Sequence, residues 1–253
     1  MPVGWLEVFV FLLGLVGGSF LNVVAWRIPR RESLVKPGSH CPECGHPLGS
    51  LELIPVAGFL WLRGRCRHCG ARIPPRYPLL ELATATLFLL LFWKFGPTGT
   101  ALFYACLVLV LLATTCTDLM VRLIPNRILL AGLAAGLALL AVFRPESWLD
   151  AGIGLLVGGG LSLLAAEISR GGLGYGDVKL SGVIGFFLGW PNELAALFLA
   201  VLSGAAVGLG LVLAGVKTRK DYIPFGPFLA LGALIGLFWG QALIHWYLSL
   251  VTG

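Results

Sequence analysis

The chain has 253 residues, of which 58% are hydrophobic and only 12% are charged. Its mean hydropathy of +0.92 is far above that of soluble domains, whose chains carry roughly 25% charged residues. This composition excludes a soluble globular enzyme, a disordered chain and a secreted disulfide scaffold, and it places the chain in a membrane.

The apolar stretches predict an all-α polytopic membrane protein with about eight transmembrane helices of roughly 20 residues each. They lie near residues 5–26, 79–95, 99–117, 127–143, 149–168, 178–191, 193–215 and 225–250. The sixth stretch is short, so we expect it to be tilted or partly buried in protein. Glycine pairs spaced four residues apart, such as Gly14 and Gly18, favour close helix packing in lipid, although some pairs arise by chance among 35 glycines.

The first apolar stretch predicts a transmembrane helix at residues 1–26. We expect it to be retained rather than cleaved as a signal peptide. The opening residues have no basic region, and no small-residue cleavage site ends the stretch.

Residues 27–78 interrupt the lipid pattern and contain two Cys-x-x-Cys pairs. Cys41 and Cys44 form one pair, Cys66 and Cys69 the other, and 21 residues separate them. Four thiolates are a ligand set that Zn²⁺ prefers in closed, tetrahedral structural sites. The sequence therefore predicts a tetracysteine zinc-binding domain at 27–78, followed by a helical membrane domain at 79–253.

Disulfides are the competing interpretation of these cysteines, and a redox-active pair is another. Disulfides are disfavoured because the basic residues, counted in the next paragraph, place this segment in the reducing cytoplasm. A redox motif is disfavoured because neither pair lies in the βαβ pattern typical of one. The nearby His40, His46 and His68 are alternative ligands, although four cysteines already complete the set. We expect Cys106 and Cys116, in an apolar span, to pack as small hydrophobic side chains.

The basic residues predict the orientation of the chain. If residues 27–78 and every second loop after them share one side, that side holds sixteen Lys and Arg residues, and the other holds Lys94 and Arg144. The positive-inside rule then places residues 27–78 in the cytoplasm and both termini outside it. The net charge of +6 suits anionic lipids better than nucleic acid. The sixteen are Arg27, Arg30, Arg31, Lys36, Arg63, Arg65, Arg67, Arg72, Arg76, Arg122, Arg127, Arg170, Lys179, Lys217, Arg219 and Lys220.

Two aspartates stand out because this topology brings both to the cytoplasmic face. Asp118 follows the apolar run 99–117, and Asp177 precedes the short sixth stretch. Two adjacent carboxylates do not both ionise easily, so such a pair shares a proton. The ionised member can then activate water while the protonated member polarises a peptide carbonyl. The alternative is that both are ordinary interfacial acids, helix caps or ion-pair members, with Lys179 as the partner of Asp177.

Several motifs give the chain a resemblance to a known family. Gly174 to Asp177 has the Gly-x-Gly-Asp form of the intramembrane aspartyl proteases. Together with the tetracysteine segment, it makes the chain resemble the type IV prepilin peptidases over nearly its whole length. The other matching motifs are Asp118-Leu119, Ile124-Pro-Asn126, residues 18–29, residues 62–64, residues 76–78 with Glu81, and residues 224–230.

The resemblance implies a function and a location. In that family, the residues matching Asp118 and Asp177 are the catalytic pair. These enzymes remove a short basic leader from type IV prepilins or type II secretion pseudopilins, on the cytoplasmic side of the bacterial inner membrane. Many members then methylate the new N-terminus with S-adenosylmethionine, and we expect this activity here as well. The sequence contains no glycine-rich nucleotide loop of the usual kind, so the cofactor-binding residues stay unassigned.

Three other classes of protein compete with this interpretation. A transporter or channel also uses intramembrane acids, but it predicts two matching halves, which the hydropathy does not show. A zinc metalloprotease needs His-Glu-x-x-His or an open metal position, and the sequence has neither. A noncatalytic scaffold of a secretion complex is the third, and a peptidase without methyltransferase activity remains a narrower alternative.

Overall fold

The computed structural model describes residues 3–144, 147–169, 172–218, 221 and 223–252. Residues 1–2 of the opening segment lie outside this part of the chain. So do Arg170, Arg219 and Lys220, three of the basic residues used to predict orientation.

The described residues form helices joined by loops, with two isolated β-bridges between the first helix and the third. Among these residues, seven helices are long and apolar enough to cross a membrane, and the shorter helices Ala57–Trp61 and Tyr175–Leu188 are not among them. The predicted all-α polytopic fold is therefore confirmed. The helices are α1 (Val3–Arg27), α2 (Ala57–Trp61), α3 (Arg76–Phe95), α4 (Gly99–Val121), α5 (Asn126–Phe143), α6 (Trp148–Ile168), α7 (Tyr175–Leu188), α8 (Trp190–Leu213) and α9 (Gly226–Thr252).

The chain forms two compact units, residues 1–101 and 102–253. In the first unit, α1 packs along α3, and glycines allow the two backbones to approach closely. A Cβ at Gly14 would lie 2.5 Å from Ala85 Cα, and one at Gly18 would lie 2.5 Å from Glu81 Cα. Any side chain at these positions would push the helices apart, as expected for small residues between membrane helices.

Two buried side chains attach the loop between α1 and α3 to these helices. Arg27, at the end of α1, donates from one guanidinium nitrogen to Ser33 O at 2.8 Å and from the other to Gly38 O at 3.2 Å. Glu81 of α3 accepts a hydrogen bond of 2.7 Å from the backbone N–H of Val56. Both are only 7% exposed, so they hold loop backbone at the helix ends rather than pointing into solvent.

In the second unit, α7 is the short sixth span predicted from the sequence. Its 14 residues rise about 21 Å, less than the roughly 30 Å of a bilayer core. Apart from Tyr175, Gly176 and Lys179, its residues are buried, because α5, α6, α8 and α9 all contact it. Protein rather than lipid therefore surrounds most of this helix, whereas its first residue, Tyr175, is exposed.

Small residues explain how tightly α7 is enclosed. A Cβ at Gly154 of α6 would collide with the carbonyl oxygen of Gly185, and one at Gly158 would collide with that of Ser181. The Ser181 hydroxyl also donates to Gly158 O at 3.0 Å. The close approach of α6 and α7 therefore depends on the absence of side chains at these contacts.

Candidate functional site

Asp118 lies in the last turn of α4, and it is 2% exposed. The backbone N–H of Gly226, the first residue of α9, donates to its Oδ2 at 3.0 Å. The amino terminus of a helix carries partial positive charge and unpaired N–H donors. The α9 terminus therefore stabilises the ionised form of the Asp118 carboxylate.

Asp177 lies in the first turn of α7, and it is 4% exposed. Its backbone N–H donates to Gly174 O at 3.0 Å. A Cβ at Gly174 would lie only 3.1 Å from Asp177 Oδ2, so a side chain there would press on the carboxylate. Among the described residues, no group hydrogen bonds to the buried Asp177 Oδ1. An unpaired buried oxygen disfavours the charged form of a carboxyl group.

The structure brings Asp118 and Asp177 to one cavity of about 360 Å³. Two carboxylates in the same cavity repel each other when both are charged, which favours a state in which one of them holds a proton. The Gly226 contact favours charge on Asp118, whereas the unpaired Oδ1 favours the proton on Asp177. The other lining residues are Arg122, Leu123, Ile124, Pro125, Asn126, Gly174, Gly176 and Lys179.

Lys179 lies at the edge of this acid cavity and is exposed. Its ammonium group donates to Asn126 Oδ1 at 3.1 Å. This hydrogen bond joins α7 to the start of α5, beside the two carboxylates. Lys179 thus contacts a neutral amide of the neighbouring helix.

The second candidate site is the tetracysteine cluster in the loop between α1 and α3. The sulfur atoms of Cys41, Cys44, Cys66 and Cys69 all lie within 4.8 Å of one another, and all four thiols are free. Sulfurs placed about 2.3 Å from a zinc ion at the corners of a tetrahedron are about 3.8 Å apart. The Cys41 and Cys69 sulfurs are separated by 3.8 Å, so the residues present fit a zinc ion.

The two halves of the cluster share one backbone pattern. In the first, the N–H of Cys41 donates to His46 O and the N–H of Gly45 donates back to Cys41 O, both at 2.9 Å. The second repeats these bonds from Cys66 to Ala71 and from Gly70 to Cys66. Gly45 and Gly70 have φ values of 71° and 72°, which glycine adopts without steric cost. Both halves are therefore tight knuckles that direct two sulfurs each toward one point.

Neighbouring thiols in this cluster have different pKa values because their surroundings differ. The backbone N–H groups of Cys69 and His68 donate to the Cys66 sulfur and lower the pKa of that thiol to about 7. The N–H of Ala71 favours the Cys69 thiolate, but desolvation and the three neighbouring sulfurs raise the pKa of Cys69 to about 12. Without a cation, four thiols this close do not all ionise, because their negative charges repel one another. A cation held among them stabilises every thiolate.

Comparison with known proteins decides the family. Residues 105–209 match the type IV leader peptidase family, and residues 12–95 match the bacterial peptidase A24 N-terminal domain. The chain is 38% identical to a protein of Aeromonas salmonicida over 96% of its own length and 94% of the relative's. The chain belongs to the type IV leader peptidase family. The predicted resemblance is thereby confirmed.

Other relatives cover the chain as completely. A Bacillus subtilis protein is 36% identical over 96% of this chain and 98% of its own length, and a Burkholderia pseudomallei protein is 37% identical over 95% and 87%. These two and the Aeromonas protein are all named prepilin leader peptidase/N-methyltransferase. No solved structure matches this leader peptidase family member. The family and the membrane helices make the chain a multi-pass protein of the bacterial inner membrane.

Sequence reasoning missed one contact of the two aspartates in this leader peptidase family member. Gly226 belongs to the 224–230 motif, which indicates the start of the last span but does not predict which residues Gly226 contacts. The structure places its backbone N–H on Asp118, 108 residues earlier in the chain. The signal that was available was a glycine between two prolines, Pro224 and Pro227, directly before an apolar helix.

Proposed function

We propose that this chain is an aspartyl endopeptidase that removes the basic leader of type IV prepilins or pseudopilins and then methylates the new N-terminus. The observation that carries the proposal is the pair of buried carboxylates, Asp118 and Asp177, lining one cavity. Its support is the likeness over nearly the whole chain to proteins named prepilin leader peptidase/N-methyltransferase.

The contacts of the two acids suggest how each acts. Asp118, which the Gly226 N–H favours in its charged form, accepts a proton from the attacking water. Asp177, as the protonated member, donates a hydrogen bond to the carbonyl oxygen of the scissile peptide. Addition of water, with transfer of the Asp177 proton to that oxygen, gives a gem-diol. Asp118 then gives its proton to the peptide nitrogen while Asp177 takes one back from the gem-diol, which releases the leader and the mature chain with a free amine, without an acyl-enzyme.

The charge distribution supports a cytoplasmic location for this chemistry. With residues 27–78 in the cytoplasm, α4 ends and α7 begins on the cytoplasmic side, which places Asp118 and Asp177 near that face. Both termini are then periplasmic. A basic leader stays in the cytoplasm for the same electrostatic reason, so it meets the carboxylates on the correct side of the bilayer.

Zinc and S-adenosylmethionine have separate roles in the proposal. Zn²⁺ held by Cys41, Cys44, Cys66 and Cys69 is structural, since four protein ligands leave no coordination position for a substrate. S-adenosylmethionine is the methyl donor, an expectation that rests on the names of the relatives. We assign no residue to its binding.

Incubating the purified protein with a prepilin and S-adenosylmethionine is the direct test, with product masses as the readout. We expect two products, a free leader and a mature chain carrying one additional methyl group. Omitting the methyl donor will give the same cleavage without the methyl group. Cleavage that persists with a chelator excludes a metalloprotease, and absence of cleavage would contradict the proposal. A mature chain that stays unmethylated would restrict the activity to peptidase alone.

Gly226→Ala tests whether the α9 terminus positions the nucleophilic water through Asp118. A Cβ at this position would lie 2.7 Å from Asp118 Oδ2, so the carboxylate must move while the backbone stays in place. We expect leader cleavage to slow by about 10- to 100-fold, since small misplacements of reacting groups have effects of this size. The measurement is the initial rate of cleavage in detergent.

Gly210→Ala is the matched control for this substitution. Gly210 lies in α8 with nothing within 4 Å of an added Cβ, so the same methyl group meets open space. We expect this variant to retain the normal rate. Equal rates for Gly226→Ala and Gly210→Ala would show that the Gly226 contact does not position Asp118.

A further inference from the structure

A second cavity of about 480 Å³ lies beside the acid cavity in residues 102–253. We call it the apolar groove. Asn126 and Lys179 line both cavities, so the two spaces meet at the hydrogen bond between these residues. Beyond this junction the lining is apolar. Its remaining members are Leu129, Leu130, Leu133, Leu155, Gly159, Val178, Gly182 and Val183.

Glycines on facing helices leave the groove open. A Cβ at Gly159 of α6 would lie 3.7 Å from Gly182 Cα, and one at Gly182 of α7 would lie 3.6 Å from Gly159 Cα. These are ordinary contact distances, so a Cβ at Gly159 fits sterically, and a longer side chain on this groove-lining residue would occupy the groove. Leu130 of α5 lines the groove and is 65% exposed.

The direction of the groove follows from its helices. Its α5 residues run from Asn126 to Leu133, a rise of about 10 Å or two helical turns. Its α7 residues begin at Val178, directly after Asp177, and continue to Val183. The groove therefore starts at the acid cavity and extends about two turns along the bundle.

We propose that the apolar groove binds the first two turns of the substrate's own apolar helix, on the C-terminal side of the scissile bond. This inference rests on the proposed function, and it takes the scissile bond to lie directly before that helix. A peptide bond held between Asp118 and Asp177 leaves the following residues at the Asn126–Lys179 junction. The groove is continuous with that point.

The chemistry of the groove fits a helix better than an extended peptide. A helix satisfies its own backbone hydrogen bonds and presents apolar side chains, and beyond the junction the groove offers it aliphatic side chains and glycines. Glycine at positions 159 and 182 also permits the close backbone approach typical of packed membrane helices. A lipid acyl chain is the competing occupant, and the experiment below distinguishes it.

Gly159→Leu tests the proposal by filling the groove. Two substrates are compared: a prepilin with its apolar helix, and a soluble peptide with the same leader and cleavage site that ends a few residues after it. We expect KM for the prepilin to rise roughly tenfold or more, with kcat unchanged. KM for the short peptide should stay the same, because that peptide does not reach the groove.

Gly160→Leu is the matched control, because it makes the same change on the next residue of α6, where nothing lies within 4 Å of an added Cβ. It should change neither KM. Equal losses in both variants on the prepilin would overturn the proposal, and so would no effect of Gly159→Leu, which would leave lipid as the occupant. An equal effect of Gly159→Leu on the short peptide would also overturn it. Failure of the unmodified protein to cleave either substrate would instead contradict the proposed function itself.

Photo-cross-linking provides a measurement that does not depend on the folding of Gly159→Leu. A photoreactive amino acid replaces Leu130, which lines the groove, or Ala131, which is exposed but does not line it. An Asp177→Asn background prevents turnover of the bound prepilin. Cross-links from position 130, but not 131, to the first two turns of the substrate helix would support the proposal. Equal labelling from both positions, or none from either, would overturn it.

Discussion

Replacing Asp118 or Asp177 with asparagine will lower leader cleavage by roughly 10²- to 10⁴-fold, the usual contribution of general acid–base catalysis. An amide has the shape of a carboxyl group but cannot cycle a proton. Each carboxyl group has a distinct task in the proposed mechanism, so neither substitution is compensated by the other acid. The measurement is the rate of prepilin cleavage by purified variants in detergent.

The double variant sharpens this expectation. Groups that act as one catalytic unit show strongly non-additive losses. Asp118→Asn combined with Asp177→Asn should therefore be little slower than either single variant. Two independent interfacial acids would instead give losses that multiply.

Asp150→Asn is the control for a general effect of removing a carboxyl group. Asp150 is exposed in the first turn of α6 and does not line the acid cavity. This variant should cleave at the normal rate and insert into the membrane as well as the others. Substantial cleavage by either Asp118→Asn or Asp177→Asn would remove the aspartyl mechanism.

The meeting of the two aspartates could be anticipated because topology alone restricts their positions. Alternating membrane helices carry the end of α4 and the start of α7 to the same face, whatever the details of packing. Their catalytic roles remain a prediction for the variants above. The Gly226 contact could not be anticipated, since it depends on the start of α9 lying beside the end of α4, and hydropathy contains no information on such contacts.

The helix boundaries also differ from those expected, because the apolar pattern is local in sequence whereas the ends of α4 and α7 depend on tertiary packing. Asp118 was expected just after an apolar run, whereas α4 continues to Val121 and includes it. Asp177 was expected just before a span, whereas it lies in the first turn of α7. Hydropathy detects where apolar residues stop, but helical hydrogen bonding continues into polar residues that neighbouring helices bury.

In the loop between α1 and α3, the Cys-x-x-Cys spacing was sufficient to predict a cysteine cluster because each knuckle is a local structure. The roles of Arg27 and Glu81 were not predictable from spacing. The sequence identified Arg27 only as one of sixteen basic residues and Glu81 only as part of a motif. Both instead bind loop backbone, contacts that only the folded loop defines.

Cys44→Ser will remove zinc from the protein. The unmodified chain, purified without added metal or chelator, should contain about one zinc ion, and the variant close to none. A serine hydroxyl is a poor replacement for a thiolate ligand, and structural zinc sites contribute about 10–16 kcal/mol to the folding of small domains. Elemental analysis measures the metal, and limited proteolysis within residues 27–78 measures the loss of loop structure.

Cys106→Ser is the matched control, because it makes the same change at a partly buried cysteine of α4 whose sulfur contacts Gly132 O at 3.5 Å. It should retain zinc and resist proteolysis in residues 27–78. If the unmodified protein holds no zinc, or if Cys41 and Cys44 form a disulfide in samples protected from oxidation, the four cysteines have another role. Loss of zinc from both variants would point to general unfolding, whereas loss from Cys44→Ser alone ties the metal to the four sulfurs that the two knuckles direct to one point.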